Sequence, residues 1–163
     1  MQVKNRHRLK SKDAKKIQHD IQKIFTSVII EEKQCIETGF VEGNKLVFLD
    51  NKPCFIYLNE EIIFTVFGID KLRPKENFVV IDMGAVKFVT SGADVMAPGI
   101  TDADTSIEKG DQVWICDEKN HKPLAIGIAI ITGEQMINEK KGKAIKVIHY
   151  VGDKIWDFVA KSL

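Results

Sequence analysis

From Ala14 onward, apolar residues recur at steps of three and four: Ala14, Ile17, Ile21, Ile24, Phe25 and Val28. That spacing gathers them on one face of a helix. Ser11 stands where an N-cap belongs, so a helix is predicted from about Lys12 to about Thr26. Its other face carries Lys15, Lys16, His19, Gln22 and Lys23, so the apolar stripe can pack on a sheet while the cations meet solvent. Beyond it the period shortens. Cys35–Val41, Lys45–Leu49, Phe55–Leu58 and Ile62–Phe67 are apolar or alternating runs. They are separated by Gly43-Asn44, Asp50-Asn51-Lys52-Pro53 and Asn59-Glu60, residues that favour turns between strands. An antiparallel meander with the helix across one face follows. Gly68 to Pro74 breaks the pattern, and the Arg73-Pro74 step disfavours continued helix.

The second half opens with a strand, Phe78–Ile81, then a short helix over about Ala85–Thr90 that Gly92 would cap. Gly99, Thr101, Asp102 and Asp104 read as an irregular loop. Strands follow at Gln112–Cys116, Leu124–Thr132 (apolar enough to be central) and Lys143–Val151, with a short helix from Gly133 to Lys140 before the last. The fold class is therefore α+β. Residues 1–75 form an N-terminal domain with its helix packed on a small antiparallel sheet, 76–157 a second domain with two short helices, and 158–163 a C-terminal tail.

Charge adds an asymmetry. The 163 residues carry a formal net charge of +1, yet Met1–Lys23 holds eight Lys and Arg against two Asp, whereas the remainder holds sixteen against twenty-one Asp and Glu. If the protein binds a polyanion, its long-range attraction comes from the N-terminal segment, with Arg6, Arg8, Lys10 and Lys12 as candidates. The alternative is a solvated tail.

Other chemistries find little support. The longest apolar runs, Ile62–Phe67 and Ala125–Ile131, fall far short of the roughly 20 residues a membrane span needs. The basic, polar start does not read as a secretory signal, so a cytoplasmic location is expected. Cys35, Cys54 and Cys116 are dispersed, as are the four histidines, so buried thiols are expected and no metal or cofactor site is suggested. Gly39, Gly43 and Gly68 are too far apart for a phosphate cradle, and no nucleophile turn is recognisable.

One stretch is recognisable as a motif. Asp82 to Ile100 resembles the helix and glycine-containing loop that open a PUA domain, the module shared by pseudouridine synthases and archaeosine transglycosylases. Later elements match in order: Lys109-Gly110-Asp111-Gln112-Val113, Pro123-Leu124-Ala125-Ile126-Gly127, Met136, Lys141-Gly142-Lys143-Ala144, and His149-Tyr150-Val151-Gly152-Asp153 followed by Trp156. With Asn5-Arg6-His7-Arg8-Leu9 at its start, the whole chain is similar to archaeal stand-alone PUA proteins related to the malignant T-cell-amplified sequence family.

This resemblance implies a β-barrel-like second domain and a non-catalytic RNA-binding protein, its RNA a tRNA, rRNA or mRNA. It also implies a translation or ribosome-related role, with the small ribosomal subunit or a translation factor as candidate partner. In similar domains the helix, the loop and the last strand contact RNA. Carried onto this chain, they are Lys87, Ser91, Gly92, Ala93, Asp94, Met96, Ala97, Pro98, Gly99 and Ile100, with Lys146 and Tyr150 on the last strand. Independently, Gly92 and Gly99 allow close backbone approach to a phosphate or base. Strict alternation along the last strand sets Ala144, Lys146, Ile148 and Tyr150 on one side and Ile145, Val147, His149 and Val151 in the core. Tyr150 reads equally as half-buried structure or stacking residue, His149 as a core histidine, and Trp114 and Trp156 as packing residues. Two rival functions stay open: an accessory protein in RNA modification, and a ribosome-associated protein-binding adaptor.

Overall fold

The computed structural model describes residues 2–162. Five strands, β1 (Lys4–Arg8), β2 (Ile36–Val41), β3 (Asn44–Leu49), β4 (Lys52–Leu58) and β5 (Glu61–Phe64), pair antiparallel in sequence order. The three hairpins from β2 to β5 turn on Glu42-Gly43, Asp50-Asn51 and Asn59-Glu60, each with both residues at positive φ. This is the two-residue turn whose twist matches that of the strands. The second turn is thus two residues rather than the four expected, and Pro53 lies inside β4.

Helix α1 (Ser11–Ile24) buries Ile17 and Ile21 on this sheet, and Phe25 just beyond it meets Phe64 edge-on at 4.8 Å. Ser11 is not the cap. Lys10 holds that position, and no side chain caps the helix. The segment ahead of it is not a tail but the edge strand β1. Its run of charged residues lacks an apolar alternation, so the strand was hidden; Gly39 on β2 makes room for it, since a Cβ there would lie 2.5 Å from Val3 Cγ1.

Val66-Phe67, read as the end of a strand run, and residues 68–72, read within a break, together form the two-turn helix α2 (Val66–Leu72), capped by Thr65 Oγ1 accepting from Gly68 N–H at 2.9 Å. Gly68 marks close packing rather than a turn: a Cβ there would sit 2.1 Å from Cys54 O. Arg73, at φ 44°, ends the helix before Pro74.

The second sheet contains β6 (Phe78–Ile81), β7 (Val95–Met96), β8 (Ile100–Ala103), β9 (Gln112–Asp117), β10 (Pro123–Ala129) and β11 (Lys143–Tyr150), in the order β7-β11-β10-β9-β6-β8. β10 is internal as expected. Residues 100–103, expected in a loop, are the edge strand β8 instead, paired antiparallel with β6. β6 and β9 run parallel, the one such pair among the described strands. Two short helices, α3 (Met83–Val89) and α4 (Gly133–Asn138), cover this sheet, and Thr132 with Gln135 forms a capping box on α4. The barrel-like arrangement encloses a core that includes Val79, Ile81, Val113, Ile115, Ala125 and Ile145.

The two sheets share the other core. Phe25, Phe48, Phe55 and Phe64 from the first half pack in one cluster with Val80, Trp114, Cys116 and Ile126 from the second. Gln112 reinforces the junction, accepting from Phe64 N–H at 2.9 Å and donating to Ile62 O at 3.2 Å. Residues 158–162 are not a tail either. They continue α5 (Lys154–Lys161), whose Phe158 and Val159 are buried in the shared core; Leu163 lies outside the described residues. Cys54 and Cys116 are buried, and burial pushes both thiols up to about 12, whereas Cys35 is only half-buried.

Candidate nucleic-acid interface

Strand β6 delivers the chain to Asp82, whose Oδ1 accepts from Ala85 N–H at 2.8 Å and so starts α3. Two turns later Gly92, at φ 91°, closes the helix: its N–H reaches Val89 O at 3.0 Å and the next N–H, of Ala93, reaches Phe88 O at 3.0 Å. This pair of bonds requires the left-handed residue that glycine supplies. The chain then runs out along β11. Asp94 Oδ1 accepts from Val147 N–H at 3.1 Å, and Asp94 Oδ2 lies 3.5 Å from Lys143 Nζ. A 3-10 turn at Ala97–Gly99 brings it back, and Gly99 O accepts from Asp82 N–H at 2.9 Å. Helix and loop are thereby tied at both ends.

Between them lies a groove of ≈ 640 Å³, lined by Gly84, Ala85, Phe88, Ala93, Asp94, Met96, Pro98, Gly99 and Lys143 among others. Phe88 is 58% exposed and Met96 47%. Large apolar side chains left open to this extent on one concave surface are what a stacking or docking partner covers. Gly99 keeps the floor low, because a Cβ there would come within 3.1 Å of Ala85 Cβ.

The residues expected at the interface divide into groups. Ala93, Asp94, Met96, Pro98 and Gly99 line the groove. Lys87 and Ser91 are exposed beside it; Ser91 Oγ donates to Lys87 O at 2.7 Å. Ala97 and Ile100 do not face it, since both are buried in the second core. Their alternation with exposed Met96 and Pro98 pins the loop to the sheet.

On β11 strict alternation also fails. The register slips between Ile126 and Gly127 on β10, and a bulge there lets Ile148 pack on the shared core while Val147 and Tyr150 pack on the second. Ala144, expected outside, is buried as well. Lys146 is exposed, and His149 is fully buried. Tyr150 is half-buried against Gly92, its hydroxyl 2.9 Å from where a Cβ would stand.

Sequence reasoning missed Phe88 and Lys143. The motif contained both, but the three-and-four pattern of a two-turn helix cannot say which of its apolar residues faces outward.

The N-terminal cations do not line this groove. Arg6 is engaged on the first sheet: it pairs with Glu37 at 3.0 Å, bonds Asn51 and lies 4.0 Å over the Phe48 ring. Arg8, Lys10 and Lys12 are exposed around the start of α1.

A PUA domain model matches residues 77–151, and a domain of unknown function, DUF1947, matches residues 5–72. An uncharacterized protein of Methanocaldococcus jannaschii is 42% identical over 97% of this chain and 99% of its own. Translation machinery-associated protein 20 of Saccharomyces cerevisiae is 34% identical over 80% of this chain and 76% of its own. The crystal structure of a hypothetical protein from Pyrococcus horikoshii superposes with a TM-score of 0.81 at 39% identity, over 93% of this chain and 98% of that one. The chain therefore carries a PUA domain behind a DUF1947 domain and belongs to the family of translation machinery-associated protein 20, with malignant T-cell-amplified sequence 1 among its relatives.

Proposed function

We propose that this protein binds structured RNA, a tRNA or rRNA, without altering it, and that it does so in translation. The observation that carries this reading is the groove between α3 and the 93–99 loop, where exposed Phe88 and Met96 sit beside Lys87 and Lys143. Unpaired bases can stack on such a surface while the lysines take neighbouring phosphates. The PUA match and the name of the yeast relative support the same reading. The small ribosomal subunit or a translation factor would be the setting in which the RNA is met. Titration of a stem with a single-stranded end over a range of salt tests binding, and nucleoside mass spectrometry of the recovered RNA tests the absence of chemistry. A protein-dependent modified nucleoside would overturn the non-catalytic reading.

A second reading has its own observation: the groove's lining is mainly apolar, and Asp94 contributes a carboxylate. An adaptor that docks a protein there would bind it with little dependence on salt, whereas phosphate contacts make affinity fall steeply.

A further inference from the structure

We infer that the open end of the first sheet is a second RNA-contact surface, which takes an unpaired base on Phe40 between two lysines. The inference rests on the RNA-binding reading but on none of the groove's residues. Pairing register supplies the core of the argument. Lys4 on β1 lies opposite Phe40 on β2, and Phe40 lies opposite Lys45 on β3. Directly opposed residues of antiparallel strands project from the same face, so an aromatic ring stands between two cations on adjacent strands about 4.8 Å apart. Phe40 is 38% exposed, unlike Phe48, Phe55 and Phe64 on the same sheet, which are fully buried.

Tyr57 on β4 continues the row. The Lys45 ammonium lies 5.0 Å from the centre of its ring. Cation–π attraction holds the lysine there, which makes Tyr57 a positioning residue that keeps a charge beside Phe40.

This surface is one wall of a groove of ≈ 520 Å³ between the sheet and α1. The helix lines it with Asp13, Lys16 and Asp20, two carboxylates against one lysine, and Glu60 adds a carboxylate in the β4–β5 turn, while the β1–β3 wall contributes His7, Phe40 and Lys45 and no acid. Charge complementarity therefore routes a polyanion along the β1–β3 wall, past Phe40, and away from the helix side. An aromatic surface flanked by cations is the arrangement that binds single-stranded nucleic acid, the ring taking any base and the cations the backbone. The opposite face of the sheet is closed to this role, because Arg6 there is held by Glu37 and Phe48.

The test uses the full chain, an unstructured RNA 12-mer bearing one 4-thiouridine, and a blunt RNA stem. Phe40→Ala should weaken the 12-mer about tenfold, and Phe40→Leu, which keeps apolar bulk without a ring face, should weaken it similarly. Lys4→Gln with Lys45→Gln should lower the salt slope for the 12-mer by about 1.4, two single-strand phosphate contacts. Cross-linked RNA should map to the peptide containing Phe40. If wild type binds no RNA, both readings fall. If wild type binds and Phe88→Ala weakens it while the Phe40 and lysine variants, confirmed folded by circular dichroism, bind as wild type, this surface alone is overturned, and a protein partner becomes its occupant.

Discussion

The buried imidazole of His149 accepts the backbone N–H of Val66 through Nε2 at 3.1 Å. That bond places the ring proton on Nδ1, which lies 2.9 Å from Asp153 Oδ2 and donates to it. The first N–H of α2, an orphan of the helix start, is thus satisfied by a side chain from the last strand of the other domain. Since α2 packs on β4, His149 links the two halves by a polar bond inside an apolar junction. His149→Phe fills the space but leaves the Val66 N–H and the Asp153 carboxylate without this partner. Unfolding by urea should show a loss of about 1–3 kcal/mol, the cost of a buried donor left unpaired. A variant as stable as wild type would remove the link.

Asp153 makes this junction sensitive to acid. Burial pushes its carboxyl up, but the His149 ring and the N–H groups of Trp156 and Tyr150 together hold it below its ordinary value of 3.8. A carboxyl depressed in the folded state contributes stability that is fully present above the unfolded value and lost as pH falls through the folded one. Unfolding free energy should therefore drop from about pH 5 down to pH 2. Asp153→Asn should start lower and fall less over that window. Equal slopes for the two proteins would mean that Asp153 carries none of the loss.

How much of this was legible in sequence depends on what each element's residues answer to. The hairpins were readable because their turn residues and alternations report local geometry, and α1 because four turns give enough repeats to fix a face. Strand β1 and helix α2 were not. Lys4–Arg8 shows no alternation because its pairing is enabled elsewhere, by the missing side chain of Gly39. In α2, Gly68 looks like a breaker until Cys54 O is found where its Cβ would be. The helix and loop beside the groove were legible as a motif, but the bulge on β11 and the burial of Ala97 and Ile100 are tertiary facts that no spacing reports.

Phe88 offers a clean probe of the groove. It is 58% exposed, so its removal leaves the core intact. Phe88→Ala should change stability by less than about 0.5 kcal/mol, as exposed substitutions usually do. Its affinity for a stem with a single-stranded end should drop about tenfold, the scale of one stacked base. Fluorescence anisotropy beside thermal unfolding reads both, and unchanged affinity would move the RNA elsewhere.

The two loop glycines should separate. Gly92 is at φ 91°, with Tyr150 Oη 2.9 Å from a would-be Cβ, so Gly92→Val loses stability first and its binding loss follows from that. Gly99 lacks a positive φ and faces the groove; Gly99→Val there meets only the Ala85 methyl at 3.1 Å. It should fold nearly as well as wild type while blocking close approach of a ligand. Circular dichroism with the same anisotropy assay distinguishes them, and a folded Gly99→Val with native affinity would exclude the loop as a contact.

The N-terminal cations divide in the same way, and their division sharpens a test that charge counting alone would blur. Arg6 is one-quarter exposed and committed to Glu37, Asn51 and the Phe48 ring, so replacing it by Gln removes packing as well as charge. Its effect should be on stability, by about 1 kcal/mol, with little change in the salt dependence of RNA binding. Arg8, Lys10 and Lys12 are exposed, and replacing all three by Gln should leave stability alone. If they meet phosphates, affinity for every RNA falls, and the salt slope drops by about 0.7 for each contact to a single strand. Groove variants such as Phe88→Ala should do the reverse, keeping the slope while losing discrimination between RNA shapes, because phosphate contacts position a nucleic acid and base contacts specify it. Filter-binding titrations over a range of salt decide the matter: curves for the triple variant that superimpose on wild type would mean that these three cations only solvate the start of α1.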